Sequence, residues 1–296
     1  MQLKNSLLKG TTKSMKTIHS RNYPPASMMA KAVTVKMLTD QELKHTYVSH
    51  RHDISSLLDS IKCHLLFDMC CIECKRARTV TALADELNIP NLPELVWQFL
   101  CGQLYPDVHD STSISHLECP GYYGPISIYN SASLTFYAPS DLSGVGGMRR
   151  EYIRTTPAWR QEGPRYDCVF VITDPELEGM HGMDVAHVLC FFSFKTRGKR
   201  YPCAIVRWFD RVGDTPDETT GMWMVRPSFI QGQQPNLAVI HVDAIFRAAH
   251  LIPIFSREFV PPTIKPHHCY DVFRGFYVNK FADHHAFEVA FWSSRL

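Results

Sequence analysis

The chain has 296 residues, of which 45% are apolar and 20% charged, and its formal net charge is +2. A chain of this length can bury about three quarters of its unfolded surface, so composition excludes a disordered protein and removes the need for disulfide or metal staples. The near-neutral charge argues neither for nor against a nucleic-acid partner, and no apolar run approaches the roughly 18 residues of a membrane span.

The first 38 residues carry Lys4, Lys9, Lys13, Lys16, Arg21, Lys31 and Lys36 and no acidic residue. They read as a basic disordered tail, with a transit peptide or a nucleic-acid-binding arm as alternatives. No secretory h-region opens the chain, so the cysteines are expected in a reducing compartment, the nucleus or cytoplasm, rather than in a disulfide framework. Cys168, Cys190 and Cys203 sit in apolar strand-like runs, where a free thiol behaves as a small buried hydrophobe.

Residues 39–120 read as helical. Ile54, Leu57, Leu58, Ile61 and Leu65 fall on one stripe at i, i+3, i+4, i+7 and i+11, which predicts helix through about residue 75. A second helix is predicted over 81–87. A third opens at Asn91, where Asn91-Leu-Pro-Glu94 supplies an N-cap, an early proline and an acidic third position, and runs to about Leu104.

From residue 121 the period changes to two. In 121–182, Ile126 and Ile128, then Leu134 and Phe136, predict a hairpin. A turn-rich linker over 139–147 follows, then strands over 149–154 and 166–172. Residues 183–260 hold short β-type runs at close spacing. Lys195-Thr-Arg-Gly198-Lys-Arg200 is a basic hairpin turn with a glycine free to adopt positive φ, and an acidic loop covers 210–221. Alternation puts Ala204, Val206 and Trp208 on one strand face and Cys203, Ile205 and Phe209 on the other. This pattern suggests a small antiparallel barrel of the SH3-like kind. Pro261, Pro262 and Pro266 set off a last segment, 261–296, with a short helix near 281–291. The fold class expected is α+β: a helical first third, an antiparallel β-domain and a short C-terminal helix.

Chemistry is sparse. The chain has no G-x-S-x-G elbow, P-loop or dinucleotide fingerprint. Its carboxylates show no spacing that demands the paired cations of a two-metal nuclease, so no catalytic residue is assigned. Cys71 and Cys74 form a CxxC, and His116 and Cys119 could supply the second pair of a zinc site. The alternative is that these cysteines are packing residues. His284 and Glu288 would share a helical face at i, i+4 and could hold a metal, or simply form a polar face.

The basic strings are the best functional candidates. Arg149, Arg150, Arg154, Arg160 and Arg165 are interleaved with Tyr152, Trp159 and Tyr166. Guanidinium groups pair with phosphates and aromatic faces stack on bases. Lys195, Arg197, Lys199 and Arg200 would make a second positive patch. Both patches could instead be solvated surface, partly paired with Glu151, Glu162 and the acidic loop. Trp208 and Trp223 could line an aromatic groove for a cationic peptide, or lie in the core.

A set of strings in one order carries a family resemblance. They are Asn91-Leu-Pro-Glu-Leu, Gln103-Leu-Tyr-Pro-Asp107, Phe136-Tyr-Ala-Pro-Ser-Asp141, Gly146-Gly-Met-Arg-Arg-Glu-Tyr-Ile-Arg154 and Arg165-Tyr-Asp-Cys-Val-Phe-Val. Then follow Arg211-Val-Gly-Asp, Gly221-Met-Trp-Met-Val, His241-Val-Asp-Ala-Ile-Phe-Arg-Ala-Ala-His-Leu-Ile-Pro253 and Phe276-Tyr-Val-Asn-Lys280. Together they resemble the C-terminal region of proteins encoded by fungal CACTA-like DNA transposons of the Plavaka type. The likeness runs from about Leu83 to Ala290. In such elements the cut-and-paste chemistry is attributed to an RNase H-like domain upstream of the region matched here. The resemblance therefore implies a non-catalytic accessory module that contacts DNA, chromatin or the transposase; from the residues themselves no membrane partner is expected, and no cofactor apart from the zinc that the Cys/His pairs could hold. The alternatives are a metal-dependent nuclease or hydrolase built on the His/Cys/Asp clusters, and an inert transposon remnant.

Overall fold

The computed structural model describes residues 66–72, 75–105, 119, 121–138, 147–160, 163–230, 234–255 and 259–291. The expected basic tail, the apolar stripe at 54–65 and most of the turn-rich linker lie outside the described residues.

Four α-helices are described: α1 (Val80–Leu87), α2 (Leu92–Leu104), α3 (Cys269–Val272) and α4 (His284–Phe291). The first strands are β1 (Leu66–Ile72), β2 (Ile126–Tyr137), β3 (Met148–Trp159), β4 (Gly163–Tyr166), β5 (Cys168–Ile172), β6 (Met183–Thr196) and β7 (Lys199–Arg211). The later ones are β8 (Met224–Pro227), β9 (Phe229–Ile230), β10 (Gln234–Pro235), β11 (Leu237–His241), β12 (Ile245–Ala249), β13 (Leu251–Pro253) and β14 (Phe276–Val278). The architecture is thus mixed α and β around a large antiparallel sheet. Among the described residues, no helix is long and apolar enough to cross a membrane.

Helix α1 starts where the Thr79 side chain accepts from the Ala82 N–H at 3.2 Å and ends where Asn88 turns left-handed at φ 54. Helix α2 starts at the predicted Asn91. That side chain makes no capping bond, and the early proline and Glu94 mark the first turn instead. Both helices lie on one sheet face, where Leu83, Leu92, Val96 and Leu100 share a core with Ile128, Phe192, Cys203 and Ile205.

Two sequence expectations are corrected here. Residues 66–72 are a strand, not the end of a helix. β1 pairs antiparallel along β2, from Leu66 opposite Thr135 to Ile72 opposite Tyr129. A short apolar run such as Leu-Phe-Asp-Met-Cys-Cys-Ile fits either structure by pattern, and pairing decides it. β2 is one 12-residue strand rather than a hairpin. Asn130 and Ser131 look like turn residues, but Ser131 is paired on both sides, with Cys70 and with Arg154. The Asn130 amide oxygen accepts from Arg76 at 3.0 Å.

The sheet path runs β13-β14-β8-β7-β6-β2-β3-β4, with β1 beside β2, β11 beside β7, β5 beside β6 and β12 beside β5. β2 joins β6 from Ile126 opposite Phe194 to Tyr129 opposite Phe191, so strands from 121–182 and from 183–260 share one sheet. Among the described residues the path stays open, and the expected SH3-like closed barrel is not formed. The long strands β6 and β7 extend into shared pairing with β2, β5, β8 and β11 instead of curling on themselves. Their connection is as predicted in kind. Arg197 (φ 49) and Gly198 (φ 78) both take positive φ between Thr196 and Lys199, the geometry of a two-residue type I′ hairpin.

The predicted alternation in β7 holds. Cys203 and Ile205 face the helices, while Ala204, Val206 and Trp208 face a second core shared with Leu134, Ile153, Val169 and Ile245. Phe209 enters a third core with Trp223, Phe276 and Val289, which fastens the C-terminal segment to the sheet.

Candidate nucleic-acid interface

The candidate residues are carried by β3 and the edge strand β4. Side chains of a strand alternate between faces, so Ile153, fully buried, fixes the sense of β3. Arg149 and Glu151 share the inward side with it. Arg150, Tyr152 and Arg154 point outward, opposite Thr135, Ser133 and Ser131 of β2. The structure thereby divides the arginine string.

On the outer face the arginines gather around two rings. The Arg154 guanidinium stands 5.0 Å from the Tyr152 ring and 5.0 Å from the Trp159 ring. Arg160 and Arg165 approach the same Trp159 at 5.3 and 5.1 Å, and Arg150 stands 5.6 Å from Tyr152. Arg160 itself takes a left-handed φ of 48 at the end of β3, which turns the chain toward β4 and brings Arg165 back to Trp159. Tyr152 is 47% exposed, a high value for a large aromatic. Each such contact contributes about 0.5–1 kcal/mol at an exposed site. Its larger effect is to hold flexible cations in place before any ligand arrives.

Counter-charges on this face are few. Asp167 pairs with Arg165 at 2.9 Å, and its other oxygen accepts from the Arg154 backbone N–H at 2.8 Å. Arg150 donates to the Ser133 hydroxyl at 2.8 Å. Among the described residues, Arg150, Arg154 and Arg160 form no salt bridge. Glu151 lies on the opposite face from Arg150 and Arg154; of the string it is Arg149, on the same inward side, whose positive charge favours its carboxylate. Glu162 lies outside the described residues.

The second patch is at the β6–β7 turn. Lys195, Arg197, Lys199 and Arg200 are all exposed, but Arg200 bonds Tyr129 and the Ser193 hydroxyl. Lys199 lies 5.0 Å from the Tyr201 ring. This turn projects past the Ile126 end of β2, while Arg154 sits opposite Ser131, so the two patches are separate along that strand.

The remaining candidates fall elsewhere. Trp208 and Trp223 are 1% and 2% exposed, so neither lines a surface groove. Trp223 donates its indole N–H to the Ala290 carbonyl at 3.1 Å. Cys119 is fully buried beside Cys101 in the helix-side core, and burial pushes both thiols up. Cys74 and His116 lie outside the described residues, as does the side chain of Cys71. His284 and Glu288 are both on the exposed side of α4. Among the described residues, no three His, Cys, Asp or Glu side chains gather as a metal site would need.

Sequence reasoning missed a buried ionic cluster on the inner side of β3. Arg247, 1% exposed, donates to both Asp283 oxygens at 2.9 and 2.6 Å and stands 3.6 Å from Glu151. Its guanidinium lies over Phe136 at 4.9 Å, and His285 stacks on that ring at 5.0 Å. Glu151 also accepts the Ala248 N–H at 2.5 Å, which bridges β3 to β12. The two carboxylates shift in opposite senses. Burial raises Glu151, and the more distant Arg247 only partly offsets it. Burial also opposes ionised Asp283, but the Arg247 hydrogen bonds, the Ala286 N–H and nearby positive charge outweigh it and hold that carboxyl well below its usual range. The one available signal was Asp283 three residues before Ala286, the spacing of an N-cap, which Asp283 provides to α4 at 2.7 Å.

No protein-family model matches the chain, and no curated protein matches it. What the fold and the site define together is a mixed α/β chain whose outer sheet edge displays an ordered arginine–aromatic face.

Proposed function

We propose that this protein is a non-catalytic, DNA-contacting module of a transposon-derived protein, working in the nucleus alongside a separate transposase. The observation that carries the reading is the outer face of β3 and β4, where Arg150, Arg154, Arg160 and Arg165 are held around Tyr152 and Trp159 with Asp167 as the one described carboxylate among them. Guanidinium groups arranged in this way donate to phosphate oxygens in pairs. Such contacts position a protein on a duplex and supply affinity without reading sequence. The ordered resemblance to the C-terminal region of Plavaka-type transposon proteins supports the same reading.

The test is fluorescence anisotropy of a labelled duplex with the full chain and with Arg150→Ala/Arg154→Ala/Arg160→Ala. Arg150 and Arg160 are exposed and Arg154 is half-buried, so losing their ring contacts and the Arg150–Ser133 hydrogen bond should cost about 1–2 kcal/mol at most per position, and circular dichroism checks that the variant is folded. The expected result is duplex binding that the variant loses by tenfold or more, at about one decade per 1.4 kcal/mol. Binding to chromatin proteins or transposase without DNA affinity, or equal affinity in the variant, would overturn it.

A further inference from the structure

A cavity of about 430 Å³ opens between β7, β8, β9 and α3, a size within the range of small-molecule sites. Three arginines from three different segments line it, Arg207, Arg226 and Arg274, together with the carboxylates of Asp210 and Asp271. Three cations against two anions leave one positive charge in excess. Arg207 is the most deeply set, with a side chain 14% exposed. Its Nη1 donates to Asp271 at 2.9 Å, and its guanidinium stands 5.5 Å from the Phe229 ring. Its Nε is buried and, among the described residues, has no acceptor. Buried donors are nearly always satisfied, so an unsatisfied one on a residue of the cavity wall stands out. The walls are apolar: Phe229 is 52% exposed and Val272 48%, with Phe273 also on the lining.

We infer that this cavity holds one nucleotide of an unpaired DNA strand, with its phosphodiester against the arginines and its base against Phe229 and Phe273. This rests on the reading of the protein as a DNA binder and extends it to a single-stranded substrate. A phosphodiester carries one negative charge, which matches the single excess cation. Flat apolar rings stack on any base, but only when the base is out of a duplex. The segment that leads into α3 also touches β4, the edge strand of the arginine–aromatic face. A Cβ built on Gly163 of β4 would lie 2.8 Å from the His267 ring, so the edge strand abuts the turn that leads directly into α3. Lys265 and His268 of that segment are exposed.

The full chain is tested by anisotropy against labelled oligothymidylate and a labelled duplex, as the wild type, as Phe229→Ala and as Arg226→Ala/Arg274→Ala. All three positions are exposed, so these variants should fold. The expected result is a loss of oligothymidylate affinity of about five-fold or more in each variant, with duplex affinity retained. Competition by thymidine monophosphate would show that a free nucleotide fits. Failure of that competitor, with the variants still impaired, would show that the strand-borne phosphodiester is required. Unchanged oligothymidylate binding in Phe229→Ala overturns the assignment while leaving the duplex reading intact. Absence of both duplex and oligothymidylate binding in the wild type removes the DNA reading and the cavity assignment together.

Discussion

Removing Asp283 should destabilise the fold strongly. Asp283→Ala deletes both hydrogen bonds to buried Arg247, at 2.9 and 2.6 Å, and the cap on the Ala286 N–H at 2.7 Å. Breaking a buried ion pair from one side costs about 3–5 kcal/mol, because the remaining charge is left without compensation. A lost N-cap costs about 1 kcal/mol. The two do not simply add, since Glu151 remains 3.6 Å from Arg247 and takes up part of its charge. The expected loss is therefore about 3 kcal/mol. Asp283→Asn keeps a capping side chain and gives up only the charge, so it should cost about 1 kcal/mol less than the alanine. Urea unfolding followed by circular dichroism measures both. A loss below about 1 kcal/mol for Asp283→Ala, or identical curves for the two variants, would refute the assignment of both roles to this side chain.

Further outcomes concern pH, the core and the hairpin. The carboxyl of Asp283 is depressed on folding, so its contribution is present above its unfolded pKa near 3.9 and is lost as pH falls through the lower folded value. The stability gap between wild type and Asp283→Asn should accordingly narrow in urea titrations below about pH 4. Glu151 has the opposite sign. Its carboxyl is raised on folding from 4.5, so the advantage of wild type over Glu151→Gln should be largest in acid and shrink as pH rises toward neutrality, and a constant gap would contradict the shift. Trp208→Ala should cost about 3–5 kcal/mol in urea unfolding, as expected for a large core side chain, whereas a groove residue would leave stability nearly unchanged. Gly198→Ala should cost about 1–2 kcal/mol because the position holds φ 78, measured as a lower unfolding midpoint.

The helices were legible because their signals are local. The Asn91-Leu-Pro-Glu94 start and the apolar period of α2 lie within one segment, and the β6–β7 turn is announced by Gly198 between alternating runs. β1 and β2 were not legible for the converse reason. The state of residues 66–72 is decided by a partner strand about 60 residues away, and Asn130-Ser131 carries turn chemistry that pairing on both sides overrides. The arginine–aromatic site was half legible. Alternation alone places Arg150, Tyr152 and Arg154 together, but it also sends Arg149 to the inner face. Nothing local shows that β4 folds back to bring Arg165 to Trp159. The Arg247–Asp283 pair spans 36 residues, and the cavity at Arg207 draws on three segments. Convergence of that kind is a property of the folded sheet and is not written in any one stretch of sequence.

Contact between the outer face of β3 and β4 and DNA phosphates is read from the slope of log affinity against log salt for a duplex. Each neutralised phosphate contributes about −0.9 to that slope. Arg150→Ala/Arg154→Ala/Arg160→Ala should make the slope shallower by about 2.7. A wild-type slope near zero, or an unchanged slope in the variant, would contradict it.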